Sequence, residues 1–112
     1  MTYSSALVHS INTASARLIT QVTNPNDVIA LVQKAGITSR LSAVPALSLG
    51  AGGDISPIEM TAAYSIFGNN GIYSTPYFYE RIEDKHGNVI KERKPFSAYT
   101  DVIDREIAGQ MT

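Results

Sequence analysis

Residues 56–71 read Ser56-Pro57-Ile58-Glu59-Met60-Thr61-Ala62-Ala63-Tyr64-Ser65-Ile66-Phe67-Gly68-Asn69-Asn70-Gly71. The run predicts a helix with both ends marked. Ser56 and Glu59 form a capping box with Pro57 inside it: the serine hydroxyl accepts from the Glu59 amide, and the Glu59 carboxylate accepts from the Ser56 amide. From Ile58 to Phe67 the run is apolar on nearly all sides, the mark of a buried helix. Gly68-Asn69-Asn70-Gly71 stops it. A helix of this kind needs a core around it, and the 112 residues can supply one. A chain of this size hides roughly two thirds of its unfolded surface on folding. Hydrophobic residues make up 44% and charged residues 17%, which excludes a disordered, highly charged tail.

Upstream lies a second well-punctuated helix. Asn24 suits the N-cap, Pro25 the first helical position, and Asp27 the positive first turn. Val28, Leu31, Val32 and Ala35 make its apolar face, and Gly36 fits the left-handed position that closes it. Earlier still, Leu7, Ile11, Ala14, Leu18 and Val22 recur at spacings of three and four. Ser10-Ile11-Asn12-Thr13 interrupts them with residues that prefer caps, turns or strands. The stretch is one long helix, or two with a break at Ser10. Residues 37–54 have no period and read as a loop, packed rather than free because they are rich in Leu and Val.

Downstream the period changes to two. Tyr77, Tyr79, Arg81 and Glu83 alternate with Phe78, Glu80, Ile82 and Asp84, and Val89 to Glu92 follows after Asp84-Lys85-His86-Gly87-Asn88. This predicts a β-hairpin with Gly87 at positive φ. Residues 101–111 predict a short helix. The fold class is therefore mainly α with one β-hairpin, α+β. Because the chain starts near one helical pattern and stops within another, residues 1–112 are expected to be a single partial domain.

Nine basic residues face ten acidic ones, so no basic excess favours nucleic acid or an anionic membrane. No run approaches the roughly 18 apolar residues of a membrane span, and no secretory signal opens the chain. There is no cysteine, which removes disulfides, thiolate metal sites and thiol catalysis. His9 and His86 stand far apart, without metal-ligand spacing, so no metal site is expected.

Several local patterns weigh against each other. Residues 27–42 have the outline of a DNA-reading helix-turn-helix, yet Pro45 ends any second helix almost at once and Arg40 has little basic support. A capped helix and a loop explain the same residues. Charged residues at the hairpin tip fit an exposed turn, and the strand aromatics fit packing. Ser10 next to His9 does not make a nucleophile–base pair, because adjacent helical side chains diverge. Ser10 and Asn12, two apart at a helix break, can both face a cleft. Serine can relay a proton, and asparagine can bind a peptide group. A serine cap followed by a polar first turn explains the same tripeptide.

Five pieces of the chain, in order, carry a family resemblance. Ala6-Leu7-Val8-His9-Ser10-Ile11-Asn12-Thr13-Ala14-Ser15-Ala16-Arg17-Leu18 resembles the second-motif segment, A-L-x-x-S-x-N-T-x-A-x-R-L, of class A penicillin-binding transpeptidases. Ala35–Ser39 and Val44–Gly50 resemble the family's G-I-x-S and P-S-L-A-L-G stretches. Ile58–Gly71 resembles its L-E-M-x-x-A-Y-x-x-F-A-N-x-G. Pro76–Val89 resembles its hairpin. The resemblance implies the helical part of a penicillin-binding/β-lactamase-like transpeptidase domain, and acyl transfer by serine. That chemistry uses S-x-x-K, S-x-N and K-T-G. This sequence has no serine with lysine three positions on and no Lys-Thr-Gly; Ser10 and Asn12 match the middle motif.

By resemblance, Ser10 relays a proton to the leaving amine and Asn12 binds the substrate's peptide backbone. The implied partners are peptidoglycan stem peptides and β-lactams, on the extracytoplasmic (periplasmic) face of the cell membrane. No cofactor, nucleic acid or membrane contact by this segment is implied. The chain alone is expected to be inactive, and its uncovered core surface offers a second copy a place to pair. The alternative is a non-catalytic binding or scaffold domain with the same helical core.

Overall fold

The computed structural model describes residues 1–94 and 99–112. Among them are five α-helices: α1 (Tyr3–Val8), α2 (Asn12–Arg17), α3 (Pro25–Lys34), α4 (Pro57–Gly68) and α5 (Arg105–Gln110). A π-helical turn, Leu18–Val22, follows α2, and a 3-10 turn, Pro45–Leu49, sits within the segment expected to be loop. The strands β1 (Ile72–Ser74), β2 (Arg81–Glu83), β3 (Val89–Glu92) and β4 (Tyr99–Asp101) form two antiparallel pairs, β1 with β4 and β2 with β3. The fold is α+β as expected, with a second strand pair that the sequence reading lacked.

Caps explain the helices. The Asn24 side chain accepts from the Asn26 amide at 2.8 Å. At the other end of α3, Gly36 takes φ +91°, its amide donates to the Gln33 carbonyl at 3.0 Å, and the Ile37 amide donates to Val32 at 3.1 Å. That is the Schellman closure. It turns Ile37 into the core, where Ala35, Ile37, Ala63 and Ile66 are buried together beneath Tyr73, Val102 and Ile103.

The capping box of α4 is present and reaches further than expected. Glu59 accepts from the Ser56 amide at 3.2 Å and also takes the Thr38 amide (2.9 Å), the Thr38 hydroxyl (2.6 Å) and the Ser39 hydroxyl (2.7 Å). One carboxylate thus ties the segment after α3 to the start of α4. These donors, the Thr38 hydroxyl foremost and the Ser39 hydroxyl next, hold its carboxyl far below its ordinary value of 4.5. A depressed carboxyl stabilises the fold above its unfolded pKa, and that stability is lost as pH falls below it. Lowering the pH from about 4.5 should therefore reduce the unfolding temperature of the intact domain more steeply than that of its Glu59→Gln variant. Parallel curves would show that the carboxylate does not hold the two segments together.

The expectation that α4 is buried all round is corrected. Ala62, Ala63 and Ile66 are buried, but Ile58, Met60 and Tyr64 are exposed, Tyr64 by 66%. Met60 and Tyr64 border an apolar cleft of about 650 Å³ that lies between α3, α4 and residues 41–55.

The hairpin is shorter than the alternation predicted. β2 begins only at Arg81, because the aromatic residues before it serve cations rather than a ladder: the Arg93 guanidinium lies 3.6 Å from the Tyr77 ring centre, and the Lys91 ammonium 5.3 Å from that of Tyr79. Arg81 pairs with Glu92 and Ile82 with Lys91, and a bulge then sets Glu83 opposite Val89. Asp84 closes the turn by accepting from the His86 and Asn88 amides, with Gly87 at φ +82° as predicted. The final helix starts at Arg105, since residues 99–101 are strand β4.

Candidate active site

The break at Ser10 divides the first stretch into two helices, and its geometry follows from how α1 ends. The Ser10 amide donates to the Leu7 carbonyl at 3.0 Å and the Ile11 amide to the Ala6 carbonyl at 2.9 Å. This is again a Schellman closure, but the left-handed position that glycine usually fills is occupied by Ser10, at φ +53°. A non-glycine residue there carries roughly 1 kcal/mol or more of backbone strain. Ile11 then caps α2 without a side-chain hydrogen bond, and Asn12 opens that helix. Ser10 is thus not the N-cap of α2.

Three residues, His9 to Ile11, separate the two helices, and the turn brings Ser10 and Asn12 to one place. Both line an open cleft of about 360 Å³, with Leu7, Ser15, Ser48 and Leu49. Leu7 comes from α1 and Ser15 from α2. Ser48 and Leu49 come from the 3-10 turn, which the sequence reading did not place there. Both Ser10 and Asn12 are solvent-exposed, and among the described residues neither side chain has a hydrogen-bond partner. The Ser48 hydroxyl is engaged by its own turn, donating to the Pro45 carbonyl at 3.1 Å.

The cleft's chemistry is hydrogen bonding without charge. No ionisable side chain lines it among the described residues. His9, the nearest in sequence, donates from Nδ1 to the Ser5 carbonyl at 2.8 Å and so is committed to its own helix. The cleft can orient a peptide group and pass a proton, but this segment sets no base beside Ser10. Among the described residues no three potential ligands gather to hold a metal. The helix-turn-helix outline also dissolves: Thr38 and Ser39, where its second helix would begin, are bonded to Glu59. Among the described residues no helix is long and apolar enough to cross a membrane.

A hydroxyl and a carboxamide are thus displayed together from a strained helix break. The family described as the penicillin binding protein transpeptidase domain matches residues 1–101, and the chain belongs to it. Among its relatives, penicillin-binding protein 1A of Aquifex aeolicus is 37% identical over 90 residues, 80% of this chain and 12% of that protein. Penicillin-binding protein 1A of Clostridium acetobutylicum is 39% identical over 90 residues, 78% of this chain and 11% of that protein. The crystal structure of penicillin-binding protein 1A from Haemophilus influenzae matches with a TM-score of 0.72 at 26% identity, covering 88% of this chain and 19% of that one. The chain thus spans 11–12% of the length of these two curated relatives.

Proposed function

We propose that these 112 residues are one partial domain, the middle portion of a serine D,D-transpeptidase, in a protein that cross-links peptidoglycan stem peptides outside the cytoplasmic membrane and is acylated by β-lactams. The observation that carries this reading is the left-handed Ser10, which sets its own hydroxyl and the Asn12 carboxamide, both unpartnered, on one cleft. Ser10 is the proton relay between the lysine of an S-x-x-K motif and the leaving amine. Asn12 holds the backbone of the stem peptide, or the amide of a β-lactam that mimics it. The nucleophile, its lysine and the K-T-G motif come from elsewhere in the parent protein, so the segment alone does not turn over substrate.

Asn12→Ala in the intact protein is the direct test. Losing one substrate hydrogen bond at an exposed site should slow acylation by a labelled penicillin about tenfold. Thermal unfolding should not move, because the carboxamide has no partner among the described residues. Unchanged acylation and turnover would sink the assignment and leave this segment a scaffold.

A further inference from the structure

The second wall of the Ser10–Asn12 cleft belongs to a segment far away in sequence. Residues 42–52 form a closed loop, its ends joined by the Ser42 amide donating to the Gly52 carbonyl at 2.7 Å. Within it the 3-10 turn is fixed by the Leu47 amide on Val44 (3.0 Å), the Gly50 amide on Leu47 (3.1 Å) and the Ala51 amide on Ala46 (3.1 Å). Gly50, at φ +87°, ends the turn. The loop is therefore rigid where it meets the cleft.

Two residues of this turn line the cleft, and they differ in kind. Ser48 spends its hydroxyl on Pro45. Leu49 has no such internal use and is left 46% exposed at the cleft. Exposing that much of a leucine on a turn braced by four hydrogen bonds costs hydrophobic free energy that a ligand can recover. Leu7, from α1, is also exposed and lines the same cleft, so the polar pair Ser10 and Asn12 shares it with two aliphatic side chains from separate elements.

We propose that Leu49 is a specificity-determining residue of this cleft: it packs on the apolar substituent that flanks the amide held by Asn12, and so favours acyl donors with an aliphatic or aromatic group there. The inference rests on the function proposed above. No bond is made or broken by Leu49; it contributes apolar contact.

The test compares two probes on the intact protein: a penicillin with an aromatic phenylacetyl side chain, and the same nucleus carrying only a formyl group, which keeps the amide and lacks the apolar substituent. Leu49→Ala should lower the acylation rate with the aromatic probe about tenfold and leave that with the formyl probe unchanged. Leu49→Met, of similar volume, should restore the aromatic probe to within about twofold of the original. An equal loss with both probes would show a merely structural role, and no loss with either would show no contact; both overturn the inference. Ser10→Ala separates the layers. If it slows both probes while Leu49→Ala leaves their ratio unmoved, only the Leu49 inference fails. If Ser10→Ala changes neither probe, the reading of the cleft itself fails.

Discussion

Ser10→Ala in the intact protein is expected to slow acylation by a labelled penicillin about a hundredfold, with the unfolding temperature unchanged. A positioned proton-transfer group contributes about 10²–10⁴ to rate, and a relay that is not itself the base belongs at the lower end of that range. Stability should hold because the hydroxyl is exposed and bonded to nothing in the described fold, while alanine meets the same left-handed strain at φ +53°. Ser10→Gly completes the argument. Glycine removes the hydroxyl and also the strain, so the rate should fall as far as with alanine while the unfolding temperature stays level or rises. Strain kept at a functional residue, and relieved at the cost of activity, is the pattern expected where a backbone outlier serves a site. A hydroxyl-free variant that is acylated at the original rate would remove Ser10 from the mechanism.

How much of this was legible depended on whether the cause was local. The ends of α3 and α4 were readable from Asn24, Gly36, Ser56 and Glu59, because a cap bonds within one turn of its own position. The break at Ser10 was legible as one of two alternatives, since its polar run weakens a helix; the left-handed backbone there was not, because serine carries no signal for it. Pairing of β1 with β4 was missed. Strands of three residues leave almost no alternation to read, and Tyr73 opposite Thr100 is a long-range choice made by the core. Tyr77 and Tyr79 gave a false strand signal, because alternating aromatics look the same whether they pack in a sheet or lie under Arg93 and Lys91. At the site, Ser10 and Asn12 were visible as a tripeptide. Ser48 and Leu49 were not, for only tertiary folding brings residues 48–49 against α2. The far reach of Glu59 to Thr38 and Ser39 was hidden for the same reason, although two hydroxyls just after the closing Gly36 were a signal available in retrospect.

Gly71→Ala should be the most destabilising single change in the segment, costing about 3–5 kcal/mol and lowering the soluble yield of the intact protein. Gly71 is buried at the meeting point of α4, β1 and the approach to α5. Its amide donates to the Ile66 carbonyl at 2.7 Å, closing α4, and its carbonyl accepts from the Val102 and Ile103 amides at 3.0 and 3.2 Å. These bonds hold its backbone at φ +84°, where a side chain is disfavoured. They also bring the Ile103 backbone so close that an added methyl would overlap its carbonyl oxygen. Relief requires moving β4 or the end of α4, and both are packed on the buried cluster of Ala35, Ile37, Ala63 and Ile66 through Val102, Ile103 and Phe67. Gly87→Ala is the matched control. Its φ is +82°, nearly the same, but nothing stands where the methyl would go, so only the conformational cost of about 1 kcal/mol should appear. Thermal unfolding of both variants separates the two contributions. If Gly71→Ala cost no more than Gly87→Ala, the close approach of the two backbones would not constrain the fold, and Gly71 would matter only as a turn residue.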